Sequence, residues 1–184
     1  MSTKETAYEI KLFGSPILRK KAKAVKRITD KERDTLSKMA RVMYHIGGIG
    51  LAANQVGIDK SMAVVDVGDG LYKLVNPRIV KKEGAQILEE GCLSVPGVFV
   101  KVKRAKKVEV KALDESGNPV TIKAEGLMAC CLQQEIDHLN GKLIVDYASL
   151  LQRLKIKKTL AKIKSGEIKR PAAQSSPSRK FNTY

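Results

Sequence analysis
The chain has 184 residues, 43% of them hydrophobic but only eight aromatic and none Trp, so one domain with a sizeable aliphatic core is expected. Its three Cys are an odd number and two of them, Cys130 and Cys131, are adjacent, which argues against a disulfide framework and for a reducing compartment. The formal net charge of +16 points to polyanionic partners, and no run approaches the roughly 20 apolar residues that a bilayer span needs, so a soluble protein is expected.

Met1–Ser15 is mixed polar and reads as no secretory signal. Thr29 and Glu32 have capping-box spacing, and Leu36, Met39, Ala40 and Met43 then recur at helical intervals. They predict a helix over 30–45 that Gly47-Gly48 ends. The stretch from Ile49 to Gly57 is rich in small residues, which lets backbones approach closely. Met62–Val67 reads as a buried strand, Gly68-Asp69-Gly70 as a tight turn, and Leu71–Val75 as a second strand bounded or interrupted by Pro77. Val98, Val100 and Val102 alternate with Phe99, Lys101 and Lys103. Val108, Val110 and Ala112 do the same, and Asp114–Asn118 turns the chain into a run of Val120, Ile122 and Ala124. Such strands are antiparallel in style and unlike the strand–helix alternation of a doubly wound fold. Helical signals return at Gly126 and stop at Asn140-Gly141. The fold class is α+β: short strands packed around a central helix.

A last helix is predicted from Ser149 to Ile163, closed by Ser165-Gly166. Leu150, Leu154 and Ala161 fall on one side of it, with Ile156, Leu160 and Ile163 about 130° away at ~100° per residue. Residues 150–184 hold ten Lys/Arg against one acid, whereas the other 149 residues hold 25 against 18. More than half of the charge excess therefore lies in a fifth of the chain, a density that suits RNA, or else a plain solvated face. Ala172–Ser178 is low in hydrophobicity and contains Ser and Pro. A single domain over 1–165 with a disordered tail over 166–184 is expected.

The segment from Gln133 to His138 carries the chemistry. In an HExxH helix two His one turn apart point at one metal while the Glu between them moves protons. Glu135 and His138 are in place here, but Gln134 occupies the first His position. The chain has only two His, and the other, His45, ends the first predicted helix, where a charged ring suits the dipole. A Gln carbonyl oxygen is a weaker donor to iron or zinc than imidazole, so metal affinity should fall. Cys131 shares the helix face of Gln134 and His138 and is either a substitute sulfur or pocket lining; Cys130 reads as a buried core thiol. Asp137 is a solvated or salt-bridged helix residue, or the partner of the second nitrogen of His138.

Read together, three distant segments, Gly48-Ile49-Gly50-Leu51-Ala52-Ala53-Asn54-Gln55, Glu89-Glu90-Gly91-Cys92-Leu93-Ser94 and Gln134-Glu135-Ile136-Asp137-His138, resemble the GxGxAAxQ, EGCLS and QHExDH motifs of peptide deformylases. Pro16-Ile17-Leu18-Arg19, Val75-Asn76-Pro77 and Leu139-Asn140-Gly141-Lys142-Leu143 add matches, so the resemblance spans residues 8 to 165. It implies hydrolytic removal of the N-formyl group from the initiator methionine of nascent chains, releasing formate. It also implies one divalent metal, Fe2+ in the cell, with Zn2+ or Ni2+ on isolation. The implied ligands are Cys92, His138 and the position held by Gln134, with Glu135 as the acid–base. Gln55 and the Leu93 N–H would stabilise the oxyanion, and Glu90 would support the ligands. The implied substrate contacts are Gly48, Ile49, Gly50, Leu88, Gly91, Leu127 and Cys131. The partners would be a formyl-Met nascent peptide and, through the basic C-terminal helix, the ribosome. The implied setting is a cytoplasmic monomer, bacterial or organellar, with no membrane partner.

Two other readings stand beside the active enzyme. One is an impaired homologue that binds formyl-Met peptides or ribosomes without turnover; the other is a cysteine hydrolase with Cys92 as nucleophile and His138 as its base. Gln134 itself is a tolerated oxygen ligand, the mark of lost activity, or an engineered substitution.

Overall fold
In the computed structural model residues 8–169 are described. The first helix, α1, runs over Asp30–His45 as the spacing predicts. Glu32 accepts the Thr29 backbone N–H at 2.9 Å and also pairs with Lys60 from across the domain, so the cap fixes the helix to the body as well as starting it. The helix buries Leu36, Met39 and Met43 against Met62, Val64 and Val75. It ends where Gly47 takes φ +69° and the Gly48 N–H returns to the Met43 carbonyl at 2.9 Å.

Five strands then form an antiparallel sheet ordered β1-β2-β3-β6-β7: β1 (Gly50–Ala52), β2 (Met62–Val65), β3 (Tyr72–Glu83), β6 (Lys107–Leu113) and β7 (Pro119–Glu125). The strand expected to stop at Pro77 runs on for twelve residues instead. Pro77 is accommodated by a register shift between Val75 and Arg78, where Asn76 takes φ +53°. A bulge of this kind tolerates the missing N–H that a regular ladder would not. The expected strand over 62–67 is shorter, ending at Val65.

A separate two-stranded ribbon pairs β4 (Gln86–Gly91) with β5 (Phe99–Arg104). β5 keeps the predicted alternation, with Val100 and Val102 inside and Lys101 and Lys103 outside. β4 was missed because its polarity is inverted: Ile87 faces solvent and Glu90 is buried. Between the sheet and the ribbon lies α2 (Gly126–Leu139), the central helix, which packs Ala129, Leu132 and Ile136 on Val65, Val110 and Ile122.

The last helix, α3 (Leu150–Ser165), starts at Ser149 and ends on Gly166 at φ +81°. Its two apolar groups part company. Ile163 is buried with Leu18, Val100 and Ile144, and Ile156 and Leu160 pack partly on the same cluster. Leu150 and Leu154 remain 79% and 70% exposed. The expected domain limit near 165 falls at the end of this helix; of the expected tail, residues 170–184 lie outside the described residues. Among the described residues no helix is long and apolar enough to cross a membrane.

The Glu32 contacts carry a pH signature. Hydrogen bonding to Lys60 and Thr29 holds its carboxyl down to about 2. The folded pKa is depressed, so this stabilisation is present above the ordinary carboxylate range and is lost as pH falls from there toward 2. Glu32→Gln should lower Tm at pH 7 by several degrees, at about 2–4 °C per kcal/mol for a domain of this size. The difference from the parent should shrink between about pH 4.5 and 2. Thermal melts across that range check it; a constant difference would mean that the carboxylate is not the source.

Candidate active site
The site assembles from three elements that are distant in sequence. The turn after β4 delivers Cys92, the last turn of α2 delivers His138, and the small-residue segment around β1 closes over both. Cys92 Sγ and His138 Nε2 stand 3.2 Å apart. Two ligands on one tetrahedral Zn2+ sit about 3.6 Å apart, given Zn–S near 2.3 Å and Zn–N near 2.0 Å, so the pair is within a few tenths of an ångström of a shared metal. The His138 Nδ1 is buried without a hydrogen-bond partner among the described residues. Asp137 therefore does not serve that nitrogen. It is salt-bridged, to Arg104, and accepts the Tyr147 hydroxyl at 2.7 Å.

Burial dominates the protonation of the pair, pushing the Cys92 thiol up to about 12 and holding His138 down to about 4. Both are neutral near pH 7 for that reason. A thiol held neutral by burial is a poor nucleophile, which disfavours the cysteine-hydrolase reading. A divalent cation between the two would favour thiolate and neutral imidazole together.

Gln134 fills the third position differently from an imidazole. Its Nε2 donates to the Gly91 carbonyl at 2.8 Å, which leaves the side-chain oxygen as its only free donor atom. Among the described residues no three His, Cys, Asp or Glu side chains converge as a metal cluster. The Cys92 sulfur and His138 nitrogen are donors of the type a divalent metal takes, and Gln134 has an amide oxygen left to offer. Cys131 lines the cleft, but its thiol points to the Ile49 carbonyl at 3.5 Å, and burial raises it well above the ordinary thiol value. It stands in the cleft wall with its thiol turned to backbone.

Glu135 lies on the buried side of the same turn, with Oε2 unpartnered. Burial, chiefly, raises its carboxyl to about 8. Gly50 is required opposite it: a Cβ there would stand 2.5 Å from Glu135 Oε1 and 2.6 Å from Cys131 Sγ. Gln55 is oriented by accepting the Ala52 N–H at 2.8 Å, which turns its Nε2 toward Ser94 Oγ at 3.2 Å and Cys92 Sγ at 3.7 Å. Together these groups floor a cleft of about 410 Å³ whose walls include Gly48, Ile49, Gly91 and Leu93. Leu88 and Leu127, expected as pocket lining, stand outside these walls, and Leu127 is 45% exposed.

The support behind the site was only partly anticipated. Glu90 is buried as expected, but its partners are Arg104, through Nε at 2.7 Å and Nη2 at 2.9 Å, and the Cys130 thiol at 3.1 Å. Cys130 is thus hydrogen-bonded into the site's support rather than being a bare core thiol. Arg104 also reaches Asp137 and stacks over the Tyr147 ring at 4.9 Å. Gln133 clamps α2 by giving its amide to the Ala105 and Ala129 carbonyls and accepting the Ala105 N–H. Asn54 donates to the His138 carbonyl. The signal for Arg104 was available: the inward parity of Val100 and Val102 places an Arg inside, and a buried Arg demands acids.

A family model described as polypeptide deformylase matches residues 7–154. A peptide deformylase from Halothermothrix orenii is 51% identical over 140 residues, 75% of this chain and 91% of that protein. One from Caldanaerobacter subterraneus subsp. tengcongensis is 54% identical over 137 residues, 74% of this chain and 86% of that protein. Among solved structures, a peptide deformylase from Legionella pneumophila superposes with a TM-score of 0.83 at 42% identity, covering 90% of this chain and all of that one. The Synechococcus elongatus peptide deformylase in complex with actinonin gives 0.80 at 41% identity, covering 89% of each chain.

Removing Arg104 leaves Glu90 and Asp137 as buried or half-buried carboxylates without their cation. Arg104→Ala should therefore cost about 3–5 kcal/mol, and pairing Arg104→Met with Glu90→Gln should cost less than the alanine change alone. Urea unfolding of the three proteins checks this; an alanine effect below about 1 kcal/mol would mean the network is not coupled to the fold.

Proposed function
The chain belongs to the polypeptide deformylase family, and from that membership we infer the work of its cleft: hydrolysis of the formyl amide at the N-terminal Met of nascent chains, releasing formate. The observation that carries the reading is a cleft lined by Cys92 and the buried Glu135, with His138 Nε2 standing 3.2 Å from the Cys92 sulfur. Cys92, His138 and the Gln134 oxygen would hold one divalent metal, Fe2+ in the cell and Zn2+ or Ni2+ on isolation. When bound, such a metal supplies a Lewis acid and acidifies water.

The chain's own residues do the rest. Glu135 takes a proton from the attacking water as its oxygen bonds to the formyl carbon, and returns it to the amine nitrogen as the C–N bond breaks. Its raised pKa suits a group that must hold a proton between these two steps near neutral pH. The amide of Gln55 and the backbone N–H of Leu93 donate to the developing oxyanion. Gln55 arrives preorganised, since its oxygen is already held by the Ala52 N–H. Gly48 and Gly50 let the substrate lie close to backbone, and Ile49 and Cys131 supply apolar wall for the Met side chain. The reading includes a monomer in the bacterial cytoplasm, where nascent chains are made; the bacterial origin of its relatives supports the setting.

The ribosome is the proposed docking partner, through α3. Lys155, Lys157, Lys158, Lys162 and Lys164 are exposed beside Leu150 and Leu154. Arg153 belongs to the fold instead, since its guanidinium holds the Ala148 and Asp146 carbonyls at 2.9 and 3.1 Å. Deleting the helix would uncover Ile163, so substitution is the sounder test. Changing the five lysines to Gln should weaken ribosome co-sedimentation and flatten its salt dependence by about 0.7–0.9 in log–log slope per lost phosphate contact. An unchanged slope would remove α3 from the interface.

At the metal position, Gln134→His should raise metal content and formate release together, by about 10-fold or more, the scale on which even supporting groups act. Equal values in both proteins would sink the amide-oxygen assignment. Glu135→Ala should retain its metal while turnover falls by about 100-fold or more; loss of the metal would make Glu135 a ligand.

A further inference from the structure
We infer that residues 19–27, with Arg78, Lys82 and Lys142, form a second polyanion-binding face, separate from α3 and independent of the chemistry in the cleft, that takes the phosphate backbone of RNA. Residues 19–27 carry six Lys/Arg in nine positions and no acid. They are not a loose charged loop. The Ala22 N–H bonds the Leu139 carbonyl at 2.8 Å, and the Ser61 N–H bonds the Lys23 carbonyl at 2.7 Å. Asn76 then clasps Val25 on both sides, accepting its N–H and donating to its carbonyl, each at 2.9 Å. The segment is thereby strapped across the end of α2, the start of β2 and the bulge of β3.

The strap turns Ala22 and Val25 inward and leaves Lys21, Lys26 and Arg27 exposed. Beside it runs a groove of about 650 Å³ to which Lys21, Arg78, Lys82 and Lys142 contribute from three separate segments. Arg19 and Lys23 have acid partners, Asp146 at 2.6 Å and Asp59 at 3.1 Å. Among the described residues none of Lys21, Lys26, Arg27, Arg78, Lys82 and Lys142 is in an ion pair. The acid in the groove, Asp137, is already engaged by Arg104 and Tyr147. Four uncompensated cations on one groove repel, with Lys26 and Arg27 further along the same strap, and a polyanion relieves that repulsion while releasing counterions.

RNA fits this face better than an anionic membrane does. Among the described residues none of the large exposed hydrophobic side chains, Leu150, Leu151 and Leu154 included, lines the groove. Interfacial membrane binding requires such side chains alongside the charge.

The test uses the full chain and a labelled RNA hairpin, with affinity measured across a salt series. The quadruple variant Lys21→Gln, Arg78→Gln, Lys82→Gln, Lys142→Gln should weaken binding and reduce the log–log salt slope by about 3.6, at about 0.9 per contact. The independent pair Lys26→Gln, Arg27→Gln should reduce it by about 2 on the same scale. Changing Lys21, Lys82 and Lys142 to Arg should keep the parent slope. These losses should persist in a chain that already lacks the five α3 lysines. Parent slope and affinity in both Gln variants would overturn the proposal. So would losses that appear on phosphatidylserine vesicles and not on the hairpin. Formate release should be unchanged in every variant, since none of these residues lies in the cleft.

Discussion
One buried guanidinium holds the site in register. Arg104 grips Glu90 with two nitrogens and reaches Asp137 with the third. Glu90 stands two residues before Cys92, and Asp137 immediately before His138. The ion-pair network therefore ties the two segments that carry the sulfur and the imidazole, the ribbon turn and the end of α2, to a common point. Buried ion pairs contribute little net stability over an apolar substitute, because desolvation offsets most of the attraction. What this one provides is position: a slip of the ribbon along α2 would leave a charge unpaired in a low-dielectric interior, and that cost is what fixes the separation of sulfur and imidazole.

The same geometry holds Gln134 in place. Gly91 follows Glu90, so its carbonyl is held close to α2 by the network. A carboxamide can donate to that carbonyl and still present an oxygen, whereas it cannot reproduce an imidazole's affinity for iron or zinc. Glu135, Gln55 and Gly50 keep contacts that depend on backbone and on buried neighbours, none of which involves Gln134.

Charge on this molecule follows two rules. In the interior, cations are matched to acids, as at Arg104 and at Lys60 with Glu32. On the surface many of them stand without acid partners, among them the five lysines of α3 and, in the strap over 19–27, Lys21, Lys26 and Arg27, while Arg19 and Lys23 are paired. Placement of the two surface groups differs in kind. The lysines of α3 follow from helical periodicity, and half of that helix's apolar surface is given to the core through Ile156, Leu160 and Ile163. The strap's cations lie on extended backbone whose position is set by side-chain and backbone bonds to three other elements.

The sequence by itself determined everything that depends on local spacing. Helix α1 and its cap, the alternation of β5 to β7, the limits of α2 and the C-terminal stop at Gly166 all rest on neighbours within one or two turns or pleats. So does the juxtaposition of Glu135 and His138. Three motif segments in order were enough to identify the family. The tertiary structure alone decided what depends on contacts between distant segments. It buried Glu90 and exposed Ile87, inverting β4, because Arg104 from the neighbouring strand could satisfy the carboxylate. It carried β3 through Pro77 on a bulge held by Asn76 and Val25. It drew Asp137 away from His138, left Leu127 outside the cleft, and gathered Arg78, Lys82 and Lys142 beside Lys21. A residue's local pattern says which way its side chain points; only the fold says what waits there, and for a charged or hydrogen-bonding group that partner fixes the energy.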